Sequence, residues 1–142
     1  MYKTGIKVEG DVFAKLRTSS LAAALTGSVY RDGLRPRDSR LEDAVVIFTA
    51  GTVGEIQRGV VTVNIFVPDI AADNSNGVYV ANGARLETLS QLAAEWVDSL
   101  NPTSCYYFSL DAAIHVGEDL ENKQHFVVMK LAYKFHGAYS DN

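Results

Sequence analysis

The sequence predicts an α+β fold: a mostly antiparallel sheet of four to five strands packed against two helices, in the order α-β-β-β-α-β-β. Two periodicities indicate it. Apolar residues recur at helical spacing between Leu86 and Leu100, and they alternate with polar residues in 56–67 and 127–135. Helices repeat a face roughly every 3.6 residues, whereas strands alternate with period two. Turn-forming residues separate these runs, as hairpins and connections require.

Length and composition indicate a single domain over residues 1–142, with loose termini at about 1–8 and 137–142. The chain has 142 residues, of which 47% are hydrophobic and 21% charged, and these are ordinary values for a globular domain. A chain of this size buries enough surface to fold around one core. Its one cysteine, Cys105, excludes an intramolecular disulfide.

The first helical pattern starts near Asp11, which is a candidate N-cap. The apolar face that follows is formed by Val12, Phe13 and Leu16. The polar run 18–20 weakens the pattern, 21–25 resumes it, and Gly27 is expected to stop it. The pattern is therefore compatible with one helix with a weak centre or with two short helices.

A polar connection, 31–43, follows a brief predicted strand at Val29-Tyr30. It contains four arginines, three aspartates and one glutamate, so it is not a basic patch. A solvated loop and a salt-bridging contact between subunits are both open interpretations. The candidate contact residues are Arg35, Arg37 and Arg40.

An apolar hairpin is predicted next. The β-branched run 44–50 is typical of a central strand. Residues 51–54 are typical of a turn, and residues 56–67 are typical of a second strand. The core face of the second strand is expected to carry Val61, Val63, Ile65 and Val67.

Residues 69–82 are predicted to form an exposed, turn-rich loop, because Asp, Asn, Ser and Gly follow one another from Asp73 to Gly77. The same segment contains Val78, Tyr79 and Val80, which are apolar for a solvated loop. These three residues are expected either to pack back on the domain or to contact a neighbouring subunit.

The second helix is the clearest element. Asn82 is a candidate cap, and 101–102 (Asn-Pro) ends the pattern. Its apolar stripe comprises Leu86, Leu89, Leu92, Ala93, Trp96, Val97 and Leu100. Burying each large member of such a stripe contributes roughly 1.5 to 3 kcal/mol, so this helix must lie against an apolar surface.

Two strands close the chain. Tyr106, Phe108 and Leu110 alternate in the first, which is expected to extend as far as His115, and 117–123 is a polar hairpin loop. The core face of the last strand is expected to carry Val127, Met129, Leu131, Tyr133 and Phe135. Lys130, Lys134 and His136 lie opposite, as in a sheet covered by helices on one face only.

No motif predicts a catalytic, cofactor-binding or metal-binding residue. The three histidines, His115, His125 and His136, lack the spacing of metal ligands. Cys105 lies in an apolar run, which favours a buried thiol over a nucleophile. We therefore expect no enzyme activity and no cofactor.

The net charge and the apolar segments of the chain indicate which classes of partner are not expected. A net charge of −4 argues against a broad phosphate-binding face. No apolar run reaches the roughly 18 residues that span a bilayer, and the first residues lack the apolar core of a secretory signal. We expect no membrane partner, and synthesis in the cytoplasm.

In the order of its elements the chain resembles the tail-terminator and tail-completion proteins of long-tailed bacteriophages, a group that includes neck proteins at the head–tail junction. The resemblance covers about residues 8–135. It is carried by Val29-Tyr30 with Pro36, the strands at 45–46 and 61–67, the stripe from Leu86 to Leu100, and the final strand.

The resemblance implies a structural virion protein that is made in the cytoplasm of the bacterial host. It implies a ring of copies of this chain, commonly six, that caps the tail tube and joins it to head-completion proteins. DNA would pass through the lumen of that ring without specific binding. Two alternatives stay open: a small ligand-binding domain or enzyme with a helix–sheet pocket, and an interaction module of a bacterial complex unrelated to phage.

Overall fold

The computed structural model describes residues 2–72, 77–101 and 105–136. The helices are α1 (Gly5–Arg17), α2 (Ser20–Ala24) and α3 (Gly83–Ser99). The strands are β1 (Val29–Arg31), β2 (Asp43–Thr52), β3 (Gln57–Pro68), β4 (Ile70–Ala71), β5 (Tyr79–Val80), β6 (Tyr106–Leu110), β7 (His115–Asp119) and β8 (Gln124–Phe135). In the described segments, no helix combines the length and apolarity needed to cross a membrane.

The main sheet is mixed and has six strands. Its order is β1-β2-β3-β8-β6, and β7 pairs with the first half of β8. Strands β1 and β2 are parallel, whereas the other pairs in this sheet are antiparallel. The predicted α+β class is confirmed, although the sheet has more strands than the four to five expected and three helices instead of two.

The core lies between the three helices and one face of the sheet, which we call the inner face. The residues predicted to line it on β3, from Val61 to Val67, are at most 1% exposed, and those predicted on β8, from Val127 to Phe135, are at most 5% exposed. Period-two alternation therefore identified this face correctly, because a strand buried on one side must place every second side chain there.

The first helix begins six residues before the predicted cap. Thr4 is the N-cap of α1, and its side chain accepts a hydrogen bond from Lys7 N. The backbone N of Lys3 donates to Gln57 on β3 over 2.7 Å. The segment 2–8 is therefore held against the sheet, not loose as predicted, whereas the predicted loose segment 137–142 lies outside the described residues. The cap at Asp11 is wrong, since that residue is in the middle of the helix.

The weak centre of the first helical pattern is a break. Ser19 caps α2 by accepting from Ala22 N, so the second of the two open interpretations holds. Gly27 follows the C-cap Leu25 and does not itself end the helix. A Cβ at Gly27 would lie 1.9 Å from Asp43 Oδ1, so this glycine is required by close packing against the start of β2.

Two other predicted boundaries differ from those in the structure. The turn between β2 and β3 comprises residues 53–56 and not 51–54. The strand expected to run from Tyr106 to His115 is interrupted at 111–114, so that β6 and β7 pair with separate halves of β8.

The other face of the sheet, the outer face, carries no helix in the described chain. Its central residues are Val45, Ile47, Val60, Thr62, Asn64, Phe66, Phe126, Val128, Lys130, Ala132 and Lys134. The connection 32–42 covers one end of it, where the Arg35 guanidinium lies 4.2 Å from the centroid of the Phe66 ring. The end near the β2–β3 turn stays open.

Candidate assembly surfaces

The described residues bring together no metal-binding set. No group of three His, Cys, Asp or Glu side chains within 2–72, 77–101 and 105–136 has the geometry to hold a metal ion. His115 and His136 are exposed. His125 is the exception, because its Nδ1 lies 2.6 Å from Oδ1 of the buried Asp69. This contact fixes the start of the 69–82 segment to β8.

Cys105 is half-buried beside the core and precedes β6. Its φ of 68° lies in the left-handed region, and its carbonyl accepts a hydrogen bond from His136 N over 2.8 Å. The residue therefore helps to start the β6–β8 pairing. The residue is half-buried, whereas the sequence predicted a buried thiol.

Two surface grooves are candidates for a small ligand. One has a volume of about 500 Å³ and lies beside α2, with Phe13, Arg17, Ser19 and Val29 among its lining residues. The other has a volume of about 390 Å³ and lies on the open end of the outer face, with Arg58, Val60, Tyr107, Asp111, Ala132 and Lys134 among its lining residues. The first contains a single charged side chain, and only the second combines acidic and basic groups.

Arg35, a predicted subunit contact, is used inside the chain. Its Nε donates to Asp43 Oδ2 over 2.9 Å, and its Nη1 donates to Gln124 Oε1 over 3.2 Å. The Asp43 side chain is fully buried, and Ser28 N also donates to it. Arg35 thus compensates the charge of a buried carboxylate. At this position the mixed charges of the 31–43 connection form an internal ion pair.

The Arg40 side chain also makes hydrogen bonds within the described chain, whereas that of Arg37 does not. The Arg40 guanidinium donates to the backbone oxygens of Asn122 and Lys123, so it joins the connection to the β7–β8 turn. Arg37 is exposed. Of the three predicted contact arginines, Arg37 is the one that the described chain leaves open to a partner.

The 69–82 segment contains a two-stranded hairpin where a loop was predicted. Strands β4 and β5 pair Ile70 with Val80 and Ala71 with Tyr79. The exposed fractions are 47% for Ile70, 56% for Val78, 44% for Tyr79 and 43% for Val80. The Lys123 Nζ lies 4.5 Å from the centroid of the Tyr79 ring. We call 69–72 with 77–81 the apolar arm. Ala81 at its end packs against the core, whereas Ile70, Val78, Tyr79 and Val80 are exposed.

The exposed side of α3 is acidic. The charged and amide side chains on it are Glu87, Gln91, Glu95 and Asp98. Arg85 does not balance them, because its Nη2 lies 2.7 Å from Oε1 of the buried Glu42 and its Nε donates to the other carboxylate oxygen. That hydrogen bond raises the pKa of the Arg85 guanidinium. We call this surface the acidic stripe.

The open end of the outer face is basic. Arg58 on β3 lies directly opposite Lys134 on β8. Lys130 is on the same side of β8, four residues or about 13 Å away along the strand. None of these three cations forms an ion pair with the described residues. Like charges on directly opposed strand positions repel each other. We call this surface, with the half-exposed Tyr107, the basic sheet face.

A partly buried polar cluster connects α1 to the sheet at the far end of the core. Asp11 Oδ2 accepts hydrogen bonds from Tyr106 Oη over 2.7 Å and from Lys3 Nζ. Burial raises the pKa of Asp11, but the hydrogen bonds from Lys3, Tyr106 and Lys7 outweigh it, and the pKa lies below its ordinary value. Burial, together with the Asp11 carboxylate, raises the pKa of Tyr106. The cluster is structural.

Sequence reasoning named the apolar arm residues as contact candidates but did not name the residues of the two charged surfaces as such. The signal was present, since the helical spacing puts Glu87, Glu95 and Asp98 on one face and the strand period puts Lys130 and Lys134 on another. It was obscured because Arg85 shares the polar side of the helix, and only the fold shows that Glu42 neutralises it.

Comparisons with known proteins leave the chain without a family assignment. No protein-family model matches it, and no curated protein does. A solved structure with 21% sequence identity aligns with 90% of this chain and 94% of its own, at a TM-score of 0.44. Its name states no activity. The class defined by the fold itself is a small α+β domain with a mixed sheet and helices on one face.

Proposed function

We propose that this chain is a structural virion protein of a tailed phage or prophage. In this proposal its copies form a ring, of six subunits as in the proteins it resembles, at the tail end or head–tail junction. The ring caps the tail tube and joins it to the head-completion proteins. The fold is then of the tail-terminator type, and the protein's place is the tail or neck of the virion.

The observation that supports this proposal is the apolar arm. Four neighbouring apolar side chains, each more than 40% exposed, project from a hairpin that the core does not need. Such a patch on a domain of this size marks a surface for another protein. Val78, Tyr79 and Val80 are therefore the proposed centre of a subunit contact, and Arg37 is a rim candidate.

The charge of the chain fits a ring through which DNA passes. With a net charge of −4, a lumen formed by copies of this chain does not retain a polyanion by counterion release. The proposal therefore assigns DNA to the lumen as a passing molecule and not as a ligand.

Negative-stain imaging of the purified protein, alone and with tail tubes that lack their terminal protein, tests this function. The expected result is a ring in projection and a density that caps one end of the tube. A control protein of similar size and charge should leave the tube ends bare. Bare tube ends together with a monomeric protein at every concentration would overturn the proposal.

A second candidate function, that of a small ligand-binding domain or enzyme, rests on the groove of about 390 Å³ on the outer face. None of its described lining residues belongs to a helix, unlike those of the helix–sheet pocket considered from the sequence. Its Arg58, Lys134 and Asp111 side chains give it both signs of charge, so a small zwitterionic or anionic molecule is the ligand class that it fits. Thermal-shift screening against such molecules separates the two functions, because a ligand raises the melting temperature by mass action. A monomeric protein stabilised by one ligand class would favour this alternative.

A further inference from the structure

We infer that the acidic stripe of one copy docks on the basic sheet face of the next copy. The inference rests on the proposed function in one respect, since it takes the chain to assemble with itself. It adds a second pair of contacting surfaces to the contact proposed for the apolar arm, and it explains why this pair joins copies head to tail. The partner is a second copy of this chain.

The first argument is uncompensated charge of opposite sign on two surfaces. Glu87, Glu95 and Asp98 form no ion pair with the described residues, and neither do the three cations of the basic sheet face. Elsewhere in the described chain, buried carboxylates are paired, as Glu42 is with Arg85 and Asp43 with Arg35. Complementary potentials of this kind steer association and fix its register.

The second argument is placement. Helix α3 packs on the inner face of the sheet through Leu86, Leu89 and Trp96, so the acidic stripe points away from the sheet. The basic sheet face is on the other side of the same two layers. One chain therefore cannot bring its own two surfaces together. A contact between unlike patches on opposite sides repeats from copy to copy, which is the arrangement that generates a ring when its rotation closes.

The third argument is spacing. Glu87 and Glu95 are eight residues apart on α3, or about 12 Å along the helix axis. Lys130 and Lys134 are four residues apart on β8, or about 13 Å along the strand. Two acidic groups on the stripe therefore match two basic groups on the sheet face. The Tyr107 ring, 51% exposed beside them, supplies an aromatic contact of the kind enriched in interfaces.

Charge reversal tests this contact in the full-length chain. The variant K130E/K134E makes both surfaces acidic, and E87K/E95K makes both basic. Each is expected to weaken self-association by roughly tenfold or more in sedimentation velocity at about 0.15 M salt. An equimolar mixture is expected to associate again, because each variant then offers the surface that the other needs. The variant D32K/E121K, which reverses two exposed acidic residues in loops, should associate as the wild type does.

Circular dichroism and melting temperature establish that each variant is folded before the comparison. If either reversed variant associates as tightly as the wild type, or if the mixture of folded variants stays dissociated, these docking surfaces are wrong. The ring proposal survives both results, because the wild-type chain still assembles. A wild-type chain that neither self-associates nor caps tail tubes removes both proposals together.

Discussion

Arg35 Nε lies 2.9 Å from Oδ2 of Asp43, a carboxylate with no solvent exposure at the start of β2. The two residues are eight apart in a connection that the sequence shows only as a mixture of charges. Their pairing holds the connection against the outer face, because the same guanidinium stacks on Phe66 and bonds to Gln124.

The first prediction compares two arginines of this connection. Arg35→Ala should lower the free energy of unfolding by about 3 kcal/mol, because it leaves the Asp43 carboxylate buried without its cation. Arg37→Ala removes an exposed side chain and should change it by less than about 0.5 kcal/mol. Urea denaturation measures both values. Equal effects of the two substitutions would show that the ion pair does not stabilise the fold.

Adding Asp43→Asn to Arg35→Ala should recover part of the loss, since the neutral amide is cheaper to bury than an unpaired carboxylate. A double variant less stable than Arg35→Ala would indicate that Asp43 is held chiefly by Ser28 and Ser39, which also donate hydrogen bonds to it.

The fold was predictable from the sequence for helices and strands that bury one face and expose the other. The residues of β3 and β8 and the stripe of α3 follow from periodicity, because a misplaced register would expose the whole apolar set. The start of α1 was not predictable from apolar spacing, since Thr4 caps it through a local hydrogen bond that threonine residues in many other contexts can make. Residues 69–82 contain so many turn formers that the two residue pairs of the β4–β5 hairpin leave no periodic signal.

The candidate surfaces were predictable only in part for a related reason. An exposed apolar residue in a polar loop is visible in the sequence, and Val78, Tyr79 and Val80 were found in that way. Whether a charge is free depends on residues distant in the chain. Arg85 and Glu42 are 43 positions apart, and Arg40 bonds to residues more than 80 positions away, so only the fold distinguishes these paired charges from the free ones.

The second prediction concerns Asn64, in the middle of the outer face between Val45 and Val128. Its Oδ1 is buried and has no hydrogen-bond partner in the described chain. Replacing a buried polar group that lacks a partner by an apolar one of similar size removes its desolvation cost. Asn64→Val should therefore raise the free energy of unfolding by about 1 kcal/mol and the melting temperature by about 4 °C.

Thr62→Val is the matched control, because Thr62 occupies the next outer-face position on β3 and its hydroxyl lies 2.6 Å from that of Thr49. This substitution removes a hydrogen bond that is made, so it should give no gain. If Asn64→Val destabilises the protein as Thr62→Val does, the Asn64 amide has a partner that balances its burial.

The third prediction is a dependence of stability on pH. The pKa of Asp11 is lower in the folded chain than its ordinary value, because hydrogen bonds outweigh the burial that alone would raise it. A carboxyl with a lowered folded-state pKa stabilises the fold fully above its unfolded pKa of about 3.9. That contribution is lost as the pH falls through the folded-state pKa. Wild type and Asp11→Asn should therefore differ most in stability near neutral pH and least in strong acid.

Chemical denaturation between about pH 2.5 and pH 7 measures this difference. Tyr106→Phe, which removes the hydrogen bond to Asp11, should cost about 1.5 to 2 kcal/mol near neutral pH and less in acid. Asp32→Asn, which removes one exposed carboxyl from the 31–43 connection, is the control for charge alone. A gap between wild type and Asp11→Asn that is independent of pH would show that the carboxylate form is not the stabilising one.

The last prediction addresses the apolar arm. The triple variant V78S/Y79S/V80S removes three exposed apolar side chains that the core does not use, so the stability of the monomer should change by less than about 1 kcal/mol. Self-association should weaken strongly, because the centre of an interface loses its buried aromatic and aliphatic contacts. The matched control is V53S/L120S, which removes two apolar side chains that are 73% and 65% exposed in other turns. Sedimentation of the wild type and the two variants at equal concentration tests this prediction. If the arm variant associates as the control does, the apolar arm is not part of the contact. If only the arm variant loses self-association, the apolar arm is part of the contact.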